Sequence, residues 1–158
     1  LPGTRPHRFI FAMTELDLPE TTGHQSIDWT TVQSVKNLVN QAIETARNNG
    51  YVKGSLSATV IIYAEEKVKN VLALLGDELR FVMITSEVHL SDLVDAPDHA
   101  FKSVDYEGLV VVVSATNAQK CDRCWHHRTD VGSVPDHPTL CTRCVDNVQG
   151  VGEKRNFA

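Results

Sequence analysis

The chain has 158 residues, 42% hydrophobic and 22% charged, a composition that excludes a disordered polymer and fits one domain plus a small satellite. Its longest apolar runs, Leu109 to Val113 among them, are strand-sized and far short of the roughly 18 residues that cross a bilayer as a helix, which excludes a membrane span. The net charge of -5 is uneven: residues 1–117 hold 9 Lys and Arg against 15 Asp and Glu, whereas residues 118–158 hold 6 against 5 with three histidines, so an anionic partner fits the last quarter best.

No basic stretch followed by an apolar one opens the chain, and Leu1 reads as a cut end, so a fragment is expected. Residues 1–25 mix Pro2, Pro6 and Pro19 with the apolar patch Phe9 to Met13 and keep no period, as a connector or the remnant of a neighbouring domain does. Ser26 or Asp28 can cap a following helix whose apolar face is Trp29, Val32, Val35, Leu38, Val39, Ala42, Ile43 and Ala46. Arg47 suits the negative end of its dipole, and Gly50 in N-N-G-Y predicts its stop.

Ala58 to Tyr63 is β-branched and short, and predicts a buried strand. A second helix follows over about Glu65 to Leu75, with Val68, Val71, Leu72 and Leu75 on one side before Gly76. Phe81 to Thr85 and Leu109 to Ser114 predict further strands, with a short element near Val88 to Val94 and a loop over Asp95 to Ala100. The expected fold class is therefore α+β, a small sheet with packed helices over residues 26–117 followed by a zinc-knuckle module over residues 118–158, with strand order left open.

The module is expected because the apolar periodicity vanishes from Gln119 onward. About forty residues with so few large apolar side chains do not bury enough surface to offset their conformational entropy. All four cysteines lie there, as C-x2-C at Cys121 and Cys124 and, sixteen residues later, C-x2-C at Cys141 and Cys144. Each pair lets the chain curl so that two sulfurs face one centre, and two pairs complete the tetrahedron of thiolates that zinc accepts. Structural zinc in finger peptides contributes roughly 10–16 kcal/mol, enough to replace a core. Disulfides lack an export context, and a redox C-x-x-C needs no second pair; iron in a rubredoxin-like site is the remaining rival for four sulfurs. A closed set of four sulfurs leaves no position for an activated water, so one structural zinc is expected and no catalytic residue. His126, His127 and His137 are alternative ligands that four cysteines make unnecessary. Trp125 is either a lid over the knuckle or an exposed platform for a base, and Lys120, Arg123, Arg128, Arg143, Lys154 and Arg155 flank the site as candidate phosphate contacts.

C-D-R-C-W-H-H, L-C-T-R-C-V-D-N-V and the final G-E-K-R-N-F-A together resemble the carboxy-terminal end of bacterial isoleucyl-tRNA synthetases, as do V-K-G-S-L-S-A-T-V at Val52 to Val60 and G-D-E-L-R-F-V-M-I-T-S at Gly76 to Ser86. The resemblance runs from about Trp29 onward; residues 1–25 resemble more loosely the exit from a helical anticodon-binding domain. It implies a parent enzyme, monomeric and cytoplasmic, that uses ATP and Mg2+ to attach isoleucine to its tRNA and that edits valine. The H-x-G-H and K-M-S-K-S signatures of that chemistry are absent from this sequence, as is a G-x-x-x-x-G-K-[ST] loop. The resemblance further implies Cys121, Cys124, Cys141 and Cys144 as zinc ligands. It makes their surroundings a tRNA contact, with His126 joining Trp125 and the six basic residues. The expected partners are tRNA and the remainder of the synthetase. Two rivals stand beside this reading: the similar finger that ends formamidopyrimidine-type DNA glycosylases, and a zinc-stabilised cap that only docks on its neighbours.

Overall fold

The computed structural model describes residues 27–157. The expected connector over residues 1–25, its Phe9 to Met13 patch and the alternative cap Ser26 lie outside the described residues. α1, Trp29–Asn48, is capped by Asp28, whose carboxylate accepts from the Thr31 amide at 3.1 Å and from its hydroxyl at 2.6 Å. Val32, Val35, Leu38, Val39, Ala42, Ile43 and Ala46 form its buried stripe. Trp29, expected on that stripe, is half exposed at the first position of the helix. At the other end Gly50 takes the left-handed conformation (φ 75°); its amide donates to Arg47 O and the Tyr51 amide to Ala46 O, the paired bonds that close a Schellman cap.

Two strands form the centre of a four-stranded sheet ordered β2-β1-β4-β3. β1, Ala58–Ala64, runs parallel to β2, Glu87–Asp92, and antiparallel to β4, Leu109–Ala115, while the two-residue β3, Phe101–Lys102, pairs antiparallel with β4. The register places Ile62 between Leu90 and Val111, and Val60 between Val88 and Val113. These face α1 and join one core with Leu72, Leu75, Leu79 and Met83. α2, Glu66–Ala73, and α3, Leu79–Met83, make the crossover that returns the chain parallel to β1.

Phe81 to Thr85 is thus not a strand. The β-branched run was misleading because the turn at Gly76–Glu78 starts a helix ahead of it, in which Leu79 and Met83, four residues apart, bury one face. Ile84 (φ 56°) ends that helix in the left-handed conformation, half exposed, and the chain then enters β2. The short element expected near Val88 is β2 itself, and the loop over Asp95 to Ala100 is followed by the unforeseen β3.

The last quarter is built on this sheet domain. Ser86, fully buried, accepts from the His127 amide at 2.7 Å through its Oγ and donates the hydroxyl to Leu56 O. Glu78 accepts from the Asn156 and Phe157 amides, each at 2.7 Å, and Phe157 packs against the main core. Replacing Ile62, fully buried at the middle of β1, by Ala is expected to destabilise the sheet domain by about 2–5 kcal/mol. The loss should register as a lower urea midpoint at unchanged slope.

Candidate metal centre

The first cysteine pair sits at the end of a small hairpin, β5, Gln119–Lys120, paired with β6, His127–Arg128. Between the strands the chain turns so tightly that Cys121 N donates to His126 O and Trp125 N to Cys121 O, both at 2.9 Å. That turn requires the residue after Cys124 to be left-handed, and Trp125 adopts φ 65° there, a conformation that costs a residue with a Cβ roughly 1–2 kcal/mol. The second pair opens α4, Thr142–Gln149: Cys141 is the cap residue and Cys144 stands in the first turn, its amide donating to Cys141 O at 2.9 Å. Sulfur anions placed there face the positive end of the helix dipole.

Two residues of the intervening loop bring the knuckles together. Gly132 (φ 80°) donates its amide to Leu140 O at 3.1 Å, and a Cβ at this position would stand 2.9 Å from Pro138 O, so glycine is required. Asp130 accepts from the Thr142 amide at 3.1 Å and from its hydroxyl, capping α4 from twelve residues away. Burial raises the Asp130 carboxyl, but the Thr142 bonds and the Arg128 charge outweigh it and hold it below the ordinary aspartate value.

The four sulfurs lie within 4.8 Å of one another, with Cys121, Cys141 and Cys144 buried and Cys124 partly so. Zinc–sulfur bonds of about 2.3 Å give a tetrahedron with edges of roughly 3.8 Å. The Cys124 and Cys141 sulfurs are 3.8 Å apart. The donor set therefore fits a closed zinc site. Burial pushes Cys141 up to about 12, whereas burial of Cys121 is outweighed by backbone donors at Cys124, Cys141 and Arg123, which hold it at about 6. Four thiolates at this spacing would repel one another, and a divalent cation among them would offset that charge. Arg123 adds a guanidinium 3.8 Å from the Cys144 sulfur. None of the three module histidines joins the sulfur cluster among the described residues. His126 Nδ1 donates to Cys124 O at 3.1 Å and His127 Nδ1 to Ala118 O at 2.8 Å.

The eight residues expected to touch RNA fall into different environments. Trp125 is 60% exposed, not buried over the knuckle, with the Lys120 ammonium 5.1 Å from its ring centre. Lys154 is exposed, and Arg123 is exposed apart from its contact to sulfur. Arg128 pairs with Asp130 at 3.4 Å, while Arg143 and Arg155 share Glu153 at 2.7 and 2.9 Å. His126 is partly buried with its ring edge against Phe81. Phe81, Ser86, Glu78, Asp130 and Gly132 are the residues of this site that sequence reasoning missed; Gly132 alone carried a local signal, as a glycine between two polar turns.

One zinc per chain is the expected elemental content. Its removal by a chelator should abolish amide protection over residues 119–149 while β1 and β4 stay protected in hydrogen-exchange mass spectrometry. Because the Asp130 carboxyl is depressed in the fold, its contribution is complete above the unfolded aspartate value near 3.8 and disappears as pH falls through the lower folded value. Asp130→Asn is expected to cost about 0.5–2 kcal/mol at pH 7 and nothing once the pH lies below both values, measured by chemical unfolding across that range.

Comparison with known proteins agrees with this geometry. Residues 118–147 match the family model described as the zinc finger found in FPG and IleRS. An isoleucine–tRNA ligase of Vibrio cholerae serotype O1 (strain ATCC 39315 / El Tor Inaba N16961) is 41% identical over 160 residues, covering 99% of this chain and 17% of the relative. That of Teredinibacter turnerae is 44% identical over 161 residues, 100% of this chain and 17% of the relative. That of Shewanella amazonensis is 49% identical over 130 residues, 82% of this chain and 14% of the relative. The chain thus spans about a sixth of the length of the curated relatives it matches. The match takes in the sheet domain as well as the finger: over nearly its whole length the chain is similar to a segment of bacterial isoleucine–tRNA ligases.

Proposed function

We propose that this segment is the part of an isoleucine–tRNA ligase that grips tRNA near the anticodon, with one zinc held by Cys121, Cys124, Cys141 and Cys144 as its structural centre. The parent protein would be a monomeric cytoplasmic enzyme that joins isoleucine to tRNA with ATP and Mg2+ and hydrolyses mischarged valine. Those reactions are assigned to the rest of the polypeptide, since no nucleotide-binding signature occurs in these 158 residues. The segment itself contributes binding and orientation. The metal fixes two short turns, and the turns present few side chains in defined positions.

The observation that supports this best is Trp125. A large aromatic left 60% exposed, in a backbone conformation that costs energy, wastes both burial and strain unless its face is used. Unpaired loop bases are splayed and stack on such faces with about 1–3 kcal/mol each. Lys120 beside the ring supplies charge for the adjoining phosphate. A docking cap without RNA contacts is the second reading, favoured by the bonds from Ser86 and Glu78 into the module. The glycosylase reading draws support from the finger alone and none from the sheet domain.

In the full-length ligase, deleting residues 118–158 is expected to weaken tRNA binding and flatten its salt dependence, because phosphate contacts are lost. Trp125→Ala should weaken binding about 5- to 150-fold at unchanged zinc content. Equal tRNA affinity of the deleted and intact enzymes would favour the cap.

A further inference from the structure

Four charged or aromatic groups meet the ring of Phe81. The Arg155 guanidinium lies 4.0 Å from its ring centre, that of Arg80 4.1 Å and that of Arg143 4.9 Å, and the His126 ring meets it edge-on at 5.7 Å and 78°. Arg80 belongs to the sheet domain, as Phe81 does. Arg143 comes from α4, His126 from the first knuckle and Arg155 from the final strand of chain, so three separate parts of the zinc module converge on one ring. Their mutual repulsion is relieved by carboxylates that touch them. Asp77 accepts from Arg80 Nε at 3.0 Å and from its terminal nitrogen at 2.9 Å, and Glu153 takes both Arg143 and Arg155. Each cation is thus held by an acid at one end and by the negative face of the ring.

We infer that Phe81 is a positioning residue for RNA binding: its ring, and not RNA, is the partner of Arg143, Arg155 and His126, and it fixes the angle at which the module presents Trp125 and Lys120. This rests on the tRNA-binding reading above and divides the basic residues in two. Lys120, with its ammonium over the exposed Trp125, belongs to the contacting face. Arg143 and Arg155 belong to the seat. An aliphatic residue at position 81 keeps apolar bulk and loses the ring face that gathers the cations, so the module stays folded around its metal while its orientation loosens. An aromatic replacement keeps the face.

The experiment is tRNA binding by full-length ligase variants as a function of salt. Phe81→Leu is expected to bind about tenfold more weakly, as the loss of two or three ring–cation contacts predicts, with zinc content and salt slope unchanged. Phe81→Tyr should restore affinity. Lys120→Ala should lower the salt slope by about 0.7, the loss of one phosphate contact to a single strand. Arg155→Met, on a partly exposed side chain that folding tolerates, should reproduce Phe81→Leu: weaker binding at an unchanged slope. Wild-type affinity in Phe81→Leu, no recovery in Phe81→Tyr, or a slope reduced by Arg155→Met as by Lys120→Ala would each overturn the assignment. If removing residues 118–158 leaves affinity unchanged, the tRNA reading falls and this one with it. If that deletion weakens binding and Phe81→Leu does not, only the role of Phe81 falls.

Discussion

Four sulfurs within 4.8 Å of one another cannot all be anions without a cation among them, and nearly everything distinctive about the last quarter of the chain answers to that. The β5–β6 hairpin exists to aim Cys121 and Cys124 at one point, and α4 begins where it does because Cys141 and Cys144 must share a first turn. Even the polar stretch between them is determined by this need. Gly132 folds it back under Pro138, and Asp130 ties its start to the first residue of α4. A segment with almost no apolar core is held instead by ligation, by a handful of backbone bonds and by a helix dipole directed at its own ligands.

Ligation alone would leave the module free to swing. It is held against the sheet domain by groups clustered in the short stretch from Glu78 to Ser86: a carboxylate taking two amides, an aromatic face taking cations, and a buried hydroxyl taking the His127 amide. This stretch is also where the chain passes from α3 through a left-handed residue into β2. The same turn that sets the parallel register of the sheet therefore sets the seat of the metal module. The shape of the last quarter then depends on two levels of positioning, four sulfurs placed for one metal and the resulting module upon a sheet.

Elements whose identity depends on local pattern were legible in the sequence. The α1 stripe from Val32 to Ala46, the Gly50 stop, the strands Ala58–Ala64 and Leu109–Ala115 and the cysteine spacing each carry a period or a turn chemistry that one window of residues contains. Phe81 to Thr85 failed because its composition is that of a strand, while its fate was decided by the preceding turn and by a core that accepts Leu79 and Met83 on one face. The two-residue β3, β5 and β6 are too short to show alternation. The basic residues were legible as charge but not as role. No local signal distinguishes Arg143, tied to Glu153 and Phe81, from Lys120, which lies over an exposed indole.

The groups of the sheet domain that meet the metal module among the described residues, Glu78, Phe81 and Ser86, lie earlier in the chain than Cys121, as do the four strands of the main sheet. Where domains fold as units in the order they emerge from the ribosome, the landing surface precedes the module that uses it. The buried core of that surface contains no cysteine, so the dock forms without calling on the ligands.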